Sequence, residues 1–312
     1  MSSQILSKPL PYIALLLAHL IWGANFVVAK VTLEEFPPAS LAFLRFLIAT
    51  LLLIPFFSFG GKKVKINQKD ILKLVLIGIL MITLNIAFFF EGITKTTAIN
   101  ASVLTLVIPV LSVVLGWIFL KEKVYLINLA GIVVGLLGAV IIIQLPEIVL
   151  GNYSTGQVVG NVLIRLASVC WVLGAVISRQ MLKIYPSLVV TSIAFMVGTL
   201  TFLLPAVNEY LNDPLWMENI SIMGVFGLFY MTLLSSVSAY FLFEWGLAKT
   251  SVVKANLFQY IEPFIAAALA ITLLGEEITI PFLAGASLIT AGVYLGTLAK
   301  ESHHKIQKTH RI

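Results

Sequence analysis

Long apolar runs separated by short polar gaps set the pattern of this chain. Ten such runs stand at about 11–30, 38–58, 71–91, 98–119, 125–144, 158–178, 187–207, 221–243, 252–273 and 279–298. About 20 apolar residues are what a helix needs to cross the hydrocarbon core of a bilayer. The longest gaps read GGKKVKINQKD, PEIVLGNYSTGQ and NEYLNDPLWMEN, too short for a soluble domain. The expected fold class is therefore an all-α polytopic membrane protein with ten transmembrane helices. Lys8 ahead of the run Leu10–Ile21 resembles a secretory leader. No small-x-small cleavage site follows and the run continues through Val28, so it reads as the first membrane helix.

Composition agrees. Of 312 residues, 60% are hydrophobic and 11% charged, against about 25% charged in soluble domains. The net charge of +6 is spread over loops and lacks a basic face with interleaved aromatics, so no nucleic-acid partner is expected. Cys170, the one cysteine, excludes an internal disulfide and reads as a small packing residue. With the amino terminus in the cytoplasm, inner loops and ends hold 16 of the 20 Lys and Arg. The outer ones hold only Lys30 and Lys95, while Arg45 and Arg165 lie within spans. The positive-inside rule then puts both termini in the cytoplasm, in a multi-pass protein of the cell (inner) membrane.

The second half repeats the first. At a constant offset of 154, Gly92, Lys95, Thr96, Pro109, Glu122, Gly131 and Gly138 fall on Gly246, Lys249, Thr250, Pro263, Glu276, Gly285 and Gly292. At an offset of 149, Trp22, Lys30, Pro37 and Phe46 fall on Trp171, Arg179, Pro186 and Phe195. Residues 11–144 and 158–298 thus read as two repeats of five helices, followed by a basic cytoplasmic tail, 299–312. Five is odd, so the second repeat inserts upside down. Loop charge agrees: Lys121-Glu-Lys123 falls inside and its mate Gly275-Glu-Glu277 outside. Inverted repeats place a substrate site near the midplane between the halves.

The residues that stand out in order are Leu20-Ile-Trp22-Gly23, Leu44-Arg45-Phe46, Thr96-Thr-Ala98-Ile-Asn100-Ala101, Ile108-Pro109 and Phe119-Leu-Lys-Glu122. Tyr260-Ile-Glu262-Pro263-Phe264 and Leu274-Gly-Glu276 follow in the second half. This ordered set, over about 11–298, resembles the EamA domain of the drug/metabolite transporter superfamily. The resemblance implies a ten-helix carrier, often an exporter of amino acids or related metabolites. It leaves the substrate open, since sugar, nucleotide-sugar and drug carriers belong to the same superfamily. The second half departs from the pattern: Ala194 stands at the mate position of Arg45, and Arg165 lies one helix earlier.

Charged groups inside a membrane cost roughly 2.5–3.5 kcal/mol on insertion scales, so those retained face a cavity or a partner. His19, Arg45, Arg165 and Glu262 fall near span centres, and Glu262 is the one acid the pattern places at mid-depth. Glu262 reads as a proton carrier or counter-charge for a substrate amine, or else as half of a fixed ion pair. Arg45 and Arg165 could meet a substrate carboxylate, for which the guanidinium fork is suited, or hold Glu262 or free carbonyls. His19 could shuttle protons or hydrogen-bond between helices. Trp22 and its mate Trp171 sit centrally rather than at the interfaces, fit either to stack on a substrate or to pack helices. Asn85 with Phe89, and the stripe Asn256, Gln259 and Tyr260, complete a set of candidate substrate-binding residues.

Gly131, Gly135, Gly138, Gly285, Gly292 and Gly296 read as close-packing positions, with a homodimer contact as the alternative. His303, His304 and His310 lie on the basic tail, so neither a metal nor a cofactor is expected. The leading reading is a secondary transporter exporting small amphipathic metabolites, with proton coupling through Glu262. An integral-membrane enzyme would want clustered His and acids at one face, and a sensor an added soluble domain; neither feature is present in the pattern.

Overall fold

The computed structural model describes residues 9–59, 64–121, 125–143 and 155–274, with the single positions 284, 285, 287, 288, 291, 292 and 295. Among the described residues every regular element is helical. The helices are α1 (Leu10–Thr32), α2 (Pro38–Phe59), α3 (Gln68–Thr94), α4 (Ala98–Leu120), α5 (Leu126–Ile143), α6 (Thr155–Met181), α7 (Ser187–Asn212) and α8 (Ile222–Lys249). Last comes α9, built from Val252–Leu257, a 3-10 turn at Phe258–Ile261 and Glu262–Leu274. Seven of them, α1, α3, α4, α6, α7, α8 and α9, are long and apolar enough to cross a membrane. α2 and α5 contribute the shorter apolar stretches Pro38–Leu53 and Leu129–Gly138. The tenth apolar run, 279–298, lies outside the described residues except at the single positions above, and the tail 299–312 lies wholly outside them.

Helix ends follow from local chemistry. Thr97 caps α4 by accepting from Asn100 N, and its mate Ser251 caps α9 by accepting from Lys254 N. A capping hydroxyl satisfies one of the orphan amides that every helix start leaves. At the other polarity, Lys30 Nζ donates to the carbonyls of Ile93 (2.8 Å), Thr94 (3.3 Å) and Thr96 (2.8 Å), where α3 ends. Arg179, the mate of Lys30, donates from Nη2 to Thr250 O at 2.8 Å, where α8 ends. Cations at helix C-termini meet both the free carbonyls and the negative end of the dipole.

Interruptions also come in pairs. Pro109 and Pro263 lack the amide that would bond the carbonyl four residues earlier. α4 breaks one turn before Pro109, where Ile108 N bonds Thr105 O in the tighter i+3 pattern. α9 adopts its 3-10 turn at the matching place. α3 widens into a π-helical stretch at Gly78–Leu84 and α8 at Tyr230–Ser238. Such bulges displace carbonyls from the regular ladder and recur at functional sites.

Packing pairs the halves. α1 packs on α8 and α9, α6 packs on α3 and α4, and α2 packs on α7. Where α1 crosses α9, Gly23 lies so close that a Cβ would come within 2.8 Å of Ile265 Cβ and 3.1 Å of Glu262 Cα. Likewise a Cβ on Gly292 would lie 2.6 Å from Gly131 O and 2.7 Å from Gly135 N, so these glycines approach one another within the chain. Large apolar side chains such as Leu72, Trp117, Leu204 and Phe226 point outward, as lipid-facing sides require.

A candidate substrate cavity

The aromatic residues of α1, α6 and α8 converge at the centre of the bundle. Trp22 and Trp171 meet edge to face, with ring centroids 5.1 Å apart at 86°. Tyr240 stands 5.3 Å from Trp22 and 5.7 Å from Trp171. Each polar edge is tied down. Trp22 Nε1 donates to Ser235 O at 3.0 Å, and Tyr240 hydroxyl to Met81 O at 3.3 Å, so each π-helical stretch supplies a carbonyl. Trp171 Nε1 donates to Asn256 Oδ1 at 3.1 Å.

Beside these rings lies a cavity of about 520 Å³, counting the part that opens to solvent. Eight of its lining residues are four pairs of repeat mates: Trp22 and Trp171, Ile86 and Tyr240, Thr105 and Gln259, Ile108 and Glu262. Away from the lining, the Phe46 and Phe195 rings pack at a tilt with centroids 5.4 Å apart, and Thr50 and Thr199 hydroxyls lie 3.1 Å apart. Residues that touch their own mates mark where the two halves meet.

The charged groups of the wall are held differently. Glu262 Oε1 lies 2.6 Å from His19 Nδ1, and Gln259 Nε2 donates to its Oε2. Gln259 Nε2 also donates to Thr105 Oγ1 at 3.1 Å. His19 is fully buried, and its Nε2 faces Ala255 O at 3.2 Å. A carbonyl only accepts, so Nε2 carries hydrogen. The contact at Nδ1 then holds one proton between imidazole and carboxylate, and the pair is neutral overall wherever that proton sits. Arg45, 1% exposed, donates from Nε to Ser236 Oγ at 2.5 Å and from Nη2 to Ser235 Oγ at 3.1 Å. Among the described residues its Nη1 has no hydrogen-bond partner, and neither does Oδ1 of Asn25, another lining residue. Both ion pairs among the described residues, His19–Glu262 and Lys95–Glu91, leave Arg45 out.

Of the residues singled out from sequence, Trp22, Arg45, Asn85, Phe89, Trp171, Gln259 and Glu262 line the cavity. Asn85 Nδ2 is spent on Ala167 O at 2.9 Å. His19 and Asn256 stand behind the wall, holding Glu262 and Trp171; Asn256 also donates to Ser112 Oγ at 2.8 Å. Tyr260 is outside the lining: its hydroxyl donates to Ile132 O at 3.1 Å and its ring packs on Gly135 of α5. Arg165 is exposed on α6, also outside the lining. The pattern overlooked Asn25, Ile86 and Ser235 as lining residues. Asn25 had a signal, since it follows Trp22 by three on the same helical face. Ile86 had one too, as the mate of Tyr240. A second acid is buried nearer a helix end: Glu244 on α8 is 2% exposed and accepts from Ser178 Oγ at 2.5 Å. Its place next to a predicted loop hid it.

A helical membrane protein with a polar, aromatic cavity at the junction of two repeated halves belongs to the class of membrane transporters. Residues 9–144 and 158–298 match the EamA-like transporter family, and the chain belongs to that family. An uncharacterized transporter of Archaeoglobus fulgidus is 30% identical over 287 residues, covering 92% of this chain and 96% of that protein. One of Clostridium kluyveri is 27% identical over 301 residues, covering 95% and 96%. The uncharacterized inner membrane transporter YedA of Escherichia coli is 26% identical over 293 residues, covering 92% and 90%. A solved crystal structure superposes with a TM-score of 0.73 at 18% identity, covering 93% of this chain and 96% of the other, which speaks to the fold alone.

Proposed function

We propose that the protein is a secondary transporter of the inner membrane that exports small metabolites, amino acids or related amphipathic compounds, by alternating access. In this reading the chain forms ten transmembrane helices in two inverted five-helix repeats with both termini in the cytoplasm. The observation that carries it is the cavity lined by repeat mates, with the His19–Glu262 couple in its wall. Pairing of α1 with α8 and α9, mirrored by α6 with α3 and α4, supports a pseudo-two-fold relation. An axis of that kind lets one half rock against the other around a fixed site.

The couple supplies a coupling route. With its proton, it is neutral and both carboxylate oxygens have partners. Without it, the bare imidazole lone pair faces a carboxylate at 2.6 Å, a repulsive arrangement that favours rearrangement of α1 against α9. Export would then run against inward proton flow. Inverted or right-side-out vesicles carrying the purified protein, offered labelled amino acids and nucleosides with and without a pH gradient, test this. The expected result is accumulation that follows the gradient and is lost in Glu262→Gln while exchange survives. Uptake indifferent to the gradient, with normal Glu262→Gln, would remove proton coupling; no movement of any solute would remove the transport reading.

A further inference from the structure

We propose that Arg45 is a carboxylate anchor: the cavity takes a small organic acid whose adjacent carbon bears an amino or hydroxyl donor. The inference rests on the transporter reading above and narrows its substrate. A guanidinium has five N–H donors in a fixed plane. Two of them, on Nε and Nη2, are held by the hydroxyls of Ser236 and Ser235. Those two occupy the side-on edge of the group. The end-on edge, formed by Nη1 and the second hydrogen of Nη2, is not used by them, and Nη1 is buried without a hydrogen-bond partner among the described residues, in a side chain that lines the cavity. That edge presents parallel donors at the spacing of a carboxylate's two oxygens.

Charge points the same way. Arg45 is 1% exposed and no described acid pairs with it. Glu262 lines the same cavity but is engaged by His19 and Gln259, and Tyr240 is engaged by Met81 O. A buried cation without a counter-ion is costly, and a bound anion relieves it. The brace is specific as well. Ser235 and Ser236 are consecutive, and the π-helical widening of α8 lets both reach one guanidinium. Asn25 adds the second point: its Oδ1, also buried and unpartnered, accepts from a donor beside the carboxylate. Trp22 and Trp171 offer an aromatic wall to an apolar substituent. The mate of Arg45 is Ala194, so this anchor exists once and gives the substrate one orientation.

The test compares acids with their primary amides. Purified full-length protein in lipid nanodiscs is titrated, by its tryptophan fluorescence, with L-phenylalanine, L-leucine, L-threonine and their 2-hydroxy acid analogues. Each is set against its carboxamide. At least one acid should bind at least tenfold more tightly than its amide. Arg45→Gln should abolish that preference, and Arg45→Lys should restore part of it. If no acid binds at least tenfold more tightly than its amide, the proposal is overturned without any variant, and so it is if an Arg45→Gln protein keeps the preference. Failure of every acid to bind also overturns it; if vesicles still move nucleosides, the transporter reading survives. Conversely, acid-selective binding with no flux in vesicles upholds the anchor and removes the transport reading.

Discussion

The contact between His19 and Glu262 permits a quantitative test of whether it is ionic. Its distance of 2.6 Å lies just below the charge-assisted N–H···O range of about 2.7–2.9 Å, and both side chains are buried, at 0% and 3% exposure. An interhelical hydrogen bond between neutral groups in a membrane protein contributes about 0.6 kcal/mol on average. Removing one partner of a buried ion pair costs about 3–5 kcal/mol, because the other is left uncompensated. The two descriptions therefore differ severalfold. The perturbation is a double-mutant cycle of His19→Ala and Glu262→Gln. Each single change orphans one side: His19→Ala also frees the space of a ring packed 5.3 Å from Trp22 and 6.0 Å from Phe243. That packing loss is common to both arms of the cycle and cancels. A proton shared as imidazolium and carboxylate predicts a coupling of about 2 kcal/mol, the value for hydrogen bonds to charged groups. The assay is unfolding of the reconstituted protein, read as melting temperature and denaturant midpoint in the same lipid. A coupling at or below about 0.6 kcal/mol would refute the ionic description and, with it, the couple as a proton store.

Two further predictions follow from contacts named above. Gly23→Ala places a methyl 2.8 Å from Ile265 Cβ and 3.1 Å from the backbone of Glu262, so α1 and α9 must separate; overpacking of this kind costs about 1–3 kcal/mol. Melting should fall accordingly and flux with it, and an unchanged melting curve would contradict the close crossing. Thr50→Cys with Thr199→Cys, in a Cys170→Ser background, should oxidise to an α2–α7 crosslink visible on reducing and non-reducing gels, because the parent hydroxyls lie 3.1 Å apart. Absence of the crosslink would mean the two mates do not meet.

Much of the cavity was legible in the residues because the repeat singles out positions twice. Trp22 and Trp171 drew notice as mates, and both line it. Glu262 drew notice as the acid opposite Ile108, and both line it too. Facing was harder to read. Gln259 and Tyr260 are neighbours on one polar stripe, yet Gln259 turns to Glu262 and Tyr260 turns to α5. The 3-10 turn at Phe258–Ile261 changes the angular step, which a regular helical wheel does not anticipate. Arg45 and Arg165 looked alike in sequence, and only one is buried.

Hydropathy alone determined that this chain is a bundle of membrane helices, since lipid offers backbone groups no partners and only internally bonded helices satisfy them. The internal repeat determined which positions are equivalent, down to paired caps at Thr97 and Ser251 and paired cations at Lys30 and Arg179. Tertiary structure alone decided which face of each helix looks inward. Lipid is as apolar as the protein core, so the outward face carries no polar signature and helical periodicity fades. It also decided the π-helical stretches of α3 and α8, the second of which holds Ser235 and Ser236 against Arg45. Those depend on contacts between helices nearly two hundred residues apart, beyond the reach of any local pattern.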